Sequence, residues 1–154
     1  METKVYLASY KSTQKGWHGL VNRLIRWATK SEYSHSEICV GNPFLSVADC
    51  LSSVGSEGGV RIKSMQLSTD KWDIVELKSV KEKDVLAFYE ANKGTKYDFI
   101  GCVRTMLPWV SREHENKFFC SEVAATIIGH KEPWRMYPGV LHVTEVKNNH
   151  EIIL

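Results

Sequence analysis

The hydrophobic period changes partway along the chain, and that change limits the fold more than any single residue does. Lys4 to Tyr10 alternates Val5, Leu7 and Ser9 against Tyr6, Ala8 and Tyr10, the two-residue repeat of a strand. Residues 34–41, ending at Gly41-Asn42-Pro43, then 44–49, 60–63 and 72–77 read as further strands, and the Gly-rich stretch 54–59 as a turn between two of them. Between the first strand and this block, Trp17, Leu20, Val21, Leu24, Trp27 and Ala28 recur at helical spacing after Gly16. After the block the helical period dominates. Residues 81–92 carry Val85, Leu86, Phe88 and Tyr89, with Gly94 as the stop. Asp98 is placed to cap a short helix broken near Pro108, and another helix runs from Cys120 to Gly129. Pro133 and Pro138 suggest an irregular tail, and residues 151–154 an added edge strand. A strand, a helix, a block of strands and then helices is the order of an α+β fold.

At 154 residues the chain suits one domain, 1–154, with room for its own core. A formal charge of +2 gives no concentrated basic face, so nucleic acid is not an expected partner. No apolar run nears the ~20 residues of a membrane span. The start, Met1-Glu2-Thr3-Lys4-Val5-Tyr6, lacks the apolar core of a secretion signal, so the expected location is the cytoplasm. There, Cys39, Cys50, Cys102 and Cys120 are expected as free thiols. No two of them form a C-x-x-C pair. A zinc site could still be assembled from Cys39, Cys50 and His35, but buried thiols are preferred and no metal or cofactor is expected.

Chemistry concentrates where an apolar run enters a helix, at Lys117-Phe118-Phe119-Cys120-Ser121-Glu122-Val123. A thiol in the first helical turn faces the positive end of the peptide dipoles, which favours thiolate. Its proton partner is sought at His35, in Tyr33-Ser34-His35-Ser36-Glu37-Ile38. Alternation along a strand points His35 and Glu37 to the same side. Asp49, on the following strand across the Gly41-Asn42-Pro43 bend, is the other acid within lateral reach. Either would fix the imidazole tautomer and complete a cysteine–histidine–acid set.

Four segments in order, Ser34-His35-Ser36-Glu37, Gly58-Gly59-Val60-Arg61-Ile62, Gly94-Thr95-Lys96-Tyr97-Asp98 and Phe119-Cys120-Ser121-Glu122, give the chain a family likeness. The series resembles the permuted papain-like cysteine hydrolases of the NlpC superfamily, in particular the YiiX-type proteins and phage-encoded relatives. The likeness runs over residues 5 to 142. It implies a circularly permuted papain-like fold, an antiparallel sheet packed against helices, with the histidine strand ahead of the cysteine helix. It also implies Cys120 as nucleophile and His35 as general base. The family's third polar residue usually lies on the strand after the histidine, which favours Asp49 as the orienting acid. Val47-Ala48-Asp49-Cys50 follows that pattern loosely, and Glu37 in Ser-His-x-Glu competes for the role. Tyr97 and Asp98 match a motif that packs near the cysteine helix, an architectural part. A phage-encoded product would act in the host cytoplasm.

The expected reaction is hydrolysis of an amide or peptide through a thioester on Cys120, with the backbone amide of Cys120 as an oxyanion donor. Transfer of a lipid acyl group, or a binding module without turnover, are the alternatives. The helix at 17–30 carries Arg23, Arg26 and Lys30 on one face. That face suits contact with a membrane surface or an acidic partner, or simply solvent. His18 and His114 are expected to be solvated, His130 and His142 to lack an acid partner, and Trp109, Trp134, Tyr137 and Pro138 to be packing or rim residues. Substrate identity and oligomeric state are left open.

Overall fold

The computed structural model describes residues 3–13, 17–98, 101–102 and 117–149, apart from the side chains of Trp17, His18 and Val21. Five strands form one sheet: β1 (Val5–Tyr10), β2 (His35–Val40), β3 (Ala48–Val54), β4 (Gly59–Met65) and β5 (Trp72–Glu76). Their order is β4-β3-β2-β1-β5, and every neighbouring pair is antiparallel. Helix α1 (Trp17–Thr29) connects β1 to β2, and α2 (Glu82–Asn92), α3 (Cys120–Ile128) and α4 (Pro138–Asn149) follow the sheet. The fold is α+β.

Alternation divides the sheet into two faces. Val5, Leu7, Ile38, Leu51 and Val60 point to one side and pack with Val85 of α2, Val123, Ala124 and Ala125 of α3, and Leu141 of α4. Each fully buried valine or leucine in this layer stabilises by roughly 1.5–3 kcal/mol. On the opposite face Tyr6, Ala8, Cys39, Cys50 and Ile74 form a smaller cluster, covered by Phe44 and Leu67 from the loops.

Two sequence expectations are corrected here. The third strand begins at Ala48, not Phe44, because residues 43–46 are taken up in the turn after β2. Pro138 does not open an irregular tail; it is the first residue of α4, where its fixed φ suits a helix start and its missing N–H has no intrahelical role. The expected edge strand at 151–154 and the helix toward Pro108 lie outside the described residues, although Gly101 N donates to Asp98 Oδ1 at 2.7 Å, as a cap would.

The entry to α3 is held by stitching between distant segments. Val60 N donates to Thr95 O (2.9 Å), and Gly94 N to Val60 O (3.3 Å). Tyr97 then forms a parallel bridge with Phe118, and Asp98 N donates to Phe118 O at 3.0 Å. From β3, Ser53 Oγ donates to the same Phe118 carbonyl at 2.7 Å. Two residues later the chain reaches Cys120. Gly59 makes the first stitch possible: its φ is +110°, and a Cβ there would lie 1.9 Å from Thr95 O. Gly58, with φ +87°, has open space instead. Gly58→Ala should therefore cost about 1–2 kcal/mol of left-handed strain, whereas Gly59→Ala should lose more than about 4 kcal/mol. Equal urea midpoints for the two variants would contradict this account of the stitch.

Candidate active site

Cys120 is the first residue of α3, after Phe119 in an extended conformation. The Glu122 side chain reaches back to Phe119 N at 3.5 Å, tying off one of the amides at this helix start. At the other end Gly129 adopts φ 93°, and the Gly129 and His130 amides close on Ala125 O. The helix is thus fixed at both ends, with Cys120 buried at the end facing the first residue of β2.

That residue is His35, whose side chain is about a quarter exposed. Its Nε2 is 2.9 Å from Glu37 Oε1, and the Cys120 sulfur is close enough to act on the ring. Burial opposes a charged imidazole, but the facing Cys120 sulfur and the Glu37 carboxylate outweigh it and push His35 up to about 10. Trp72 stands edge-on to the imidazole at 6.1 Å, and Tyr10 edge-on to Trp72 at 5.0 Å, forming an aromatic wall. Tyr97 and Cys102 also lie near the sulfur. Burial raises both above their ordinary values, Cys102 to about 12, with Cys120 adding to each.

Glu37 is almost wholly buried, and Arg61 meets it with two parallel contacts: Nη1 to Oε2 at 2.8 Å and Nη2 to Oε1 at 2.7 Å. The guanidinium crosses two strand spacings to do so, from β4 over β3 to β2. The β2–β3 register, with Ile38 opposite Leu51, sets Ser52 beside Glu37, and Ser52 pairs with Arg61. The strand under the arginine is therefore lined by small residues. Arg61 also donates to Cys50 O at 3.1 Å and pairs with Glu57, which in turn holds Lys63. Burial pushes the Glu37 carboxyl up, but His35 and Arg61 outweigh that and hold it below its ordinary value. A chain of alternating charge thus runs from His35 through Glu37, Arg61 and Glu57 to Lys63.

Asp49 is not part of it, which corrects the expectation that it orients His35. It pairs with Val40, at the far end of β2, so it falls on the opposite sheet face from His35 and Glu37. Its carboxylate accepts from Ser64 Oγ instead. The zinc set of Cys39, Cys50 and His35 is not assembled either. The two sulfurs are 2.9 Å apart in a cross-strand pair, all four cysteines are free thiols, and the imidazole turns away to Glu37 and Cys120.

Arg61 was within a recognised segment but had no expected role, and only the strand order reveals its partner. Of the other histidines, His130 differs from expectation in having an acid partner, whereas His142 meets a serine hydroxyl. His130 Nε2 lies 2.9 Å from Glu145 Oε1, and buried His142 places Nδ1 2.9 Å from Ser9 Oγ, pinning α4 to α3 and to the sheet. The side chain of His18, and residues Trp109 and His114, lie outside the described residues.

A cleft of ≈ 550 Å³ opens onto His35 and Glu37, walled by Tyr10, Trp72, Ile25 and Tyr97. A smaller void of ≈ 10 Å³ beside Cys120 is lined by Ser34, Ile25, Phe119 and Tyr137. Helix α1 contributes Ile25 to both. On its outer side Leu20, Leu24 and Trp27 are 57%, 55% and 79% exposed, while Arg26 bonds to Lys11 O, Ser12 O and Thr13 Oγ1 and so leaves the cationic face. Among the described residues no helix is long and apolar enough to cross a membrane. No protein-family model matches the chain, and no curated protein matches it in sequence.

The depressed Glu37 value gives a pH dependence with a definite sign. A carboxyl lowered on folding contributes stability above its unfolded value, and that contribution fades as pH falls through the folded one. Glu37→Gln should therefore cost about 3 kcal/mol at pH 7, where Arg61 loses its buried countercharge. The deficit should shrink below the ordinary carboxyl value of 4.5. Urea midpoints for both proteins across that range check it; a deficit that grows with acidity would contradict the charge assignment.

Proposed function

We propose that the protein is a cysteine-dependent acyl hydrolase, an amidase or peptidase, working through a thioester on Cys120. The observation that carries this reading is the contact series Cys120–His35–Glu37, with sulfur, imidazole and buried carboxylate in sequence beside a cleft. The likeness to permuted papain-like hydrolases supports the same reading from the order of the motifs. In the proposed cycle His35 takes the thiol proton and the sulfur attacks the acyl carbonyl. The leaving amine collects that proton from His35, and water then cleaves the thioester. Glu37 holds the imidazole in register and stabilises its charged form; Arg61 holds Glu37.

The raised His35 value fits this use. An imidazole that holds a proton firmly has one ready for the leaving group. Cys120→Ser should abolish acyl-enzyme formation, and Glu37→Gln should slow it about 10²–10⁴-fold, the range for a misplaced acid–base partner. Asp49→Asn should leave it within about twofold. Intact-mass detection of the acyl adduct with an activated ester checks all three. An adduct that persists in Cys120→Ser would remove the nucleophile assignment. A wild-type chain that never acylates would favour a binding module of the same fold.

A lipid acyl donor is the second reading, and one observation favours it. The exposed stripe Leu20, Leu24 and Trp27 lies on the helix whose Ile25 lines the cleft, and Arg23 and Lys30 are exposed beside it. An apolar strip with a cationic edge suits the surface of an anionic bilayer. Wild type should co-sediment with vesicles containing phosphatidylglycerol, and Leu24→Asn/Trp27→Asn should remain in the supernatant. Equal sedimentation of the two would exclude this stripe as the contact.

A further inference from the structure

Ser34 precedes the first residue of β2, and its amide donates to Tyr10 O at 3.0 Å, fixing its backbone against the end of β1. The residue is 2% exposed, yet its Oγ has no hydrogen-bond partner among the described residues. Buried hydroxyls are ordinarily satisfied, so such a group calls for a ligand that supplies the missing partner. Ser36 and Ser121 also carry buried, unpartnered hydroxyls, but neither lines the cleft or the void beside the sulfur. Ser34 lines both. It shares the small void with Cys120 and the large cleft with His35, so it sits where the two meet. The void is close to the ~10–15 Å³ that admits one water-sized atom group, and its other lining residues are Ile25, Cys102, Phe119, Cys120, Tyr137 and Pro138. A carbonyl oxygen entering that corner would find the unpartnered Ser34 hydroxyl.

We propose that Ser34 is a catalytic residue whose hydroxyl donates to the acyl oxygen as it becomes an oxyanion, alongside the Cys120 backbone N–H. This deepens the acyl-hydrolase reading and rests on it. With an ester such as p-nitrophenyl acetate, the Cys120 sulfur bonds to the carbonyl carbon while its proton passes to His35. The carbonyl π pair moves onto oxygen, and that oxygen accepts from Ser34 Oγ–H and Cys120 N–H. Collapse restores the C=O bond and expels p-nitrophenolate, leaving an acetyl thioester. The charge that Ser34 meets develops only in this step, which is where a fixed donor accelerates reaction.

The test compares wild type and Ser34→Ala with two reagents that both consume the Cys120 thiolate. p-Nitrophenyl acetate passes through an oxyanion; methyl methanethiosulfonate, attacked at sulfur, does not. Labelling is assigned to Cys120 by peptide mass spectrometry. The expected result is a p-nitrophenolate burst slowed about 10²-fold in Ser34→Ala, with thiosulfonate labelling within about twofold of wild type. The melting temperature should hold or rise, since the lost hydroxyl had no partner among the described residues. A burst at the wild-type rate overturns the role of Ser34 while leaving Cys120 as nucleophile. Parallel slowing with both reagents, or a lowered melting temperature, overturns it in favour of a structural serine. No burst in wild type removes the nucleophile itself, and this inference with it.

Discussion

A carboxylate buried in the sheet is the interaction on which the rest of the site depends. Glu37 is an ion taken almost completely out of water, a transfer that costs several kcal/mol unless it is well paired. Arg61 covers both of its oxygens, and His35 shares one of them. The carboxylate therefore stays charged, and its charge is what the imidazole sees. An exposed pair such as Lys4 with Glu76, whose lysine is 62% exposed, carries no comparable constraint. The acid between two cations also fixes where the imidazole ring can lie, which is the requirement for meeting a sulfur from another part of the chain.

That meeting is arranged by backbone pairing together with side-chain contacts. Cys120 arrives through the bridge between Tyr97 and Phe118 and the carbonyl contact from Ser53, so β3, β4 and the segment after α2 all set its height above the sheet. The apolar layer of Val123, Ala124 and Ala125 then holds α3 against Ile38 and Leu51. Small side chains on α3 let the helix approach β2 closely. Packing and hydrogen bonding therefore agree on one position for the sulfur.

Much of this was legible in the residues. Alternation located β1, β2 and β5, and helical spacing located α1, α2 and α3. Cys120, His35 and Glu37 were all named from local motifs. Asp49 was misjudged because a strand placed at 44–49 implies a different register from one that starts at Ala48, and register decides the face a side chain takes. Arg61 was missed because its partner lies two strands away in space and 24 residues away in sequence. Local periodicity carries no information on strand order. Pro138 was misread because a proline can either end a helix or begin one, and only the following turn distinguishes the two.

The strand order has one more consequence, in time rather than in space. All five strands, with the imidazole, the carboxylate and the guanidinium, are encoded by the time the chain reaches Glu76, whereas the sulfur is contributed at Cys120. Synthesis from the N-terminus thus delivers the histidine with its carboxylate and arginine partners well before the cysteine that meets it exists. The contacts that join them are long-range, so they form only after a large loop has been closed. In a nascent chain the sheet consequently assembles before Cys120 is in place, and sulfur and imidazole meet only as the last helices dock.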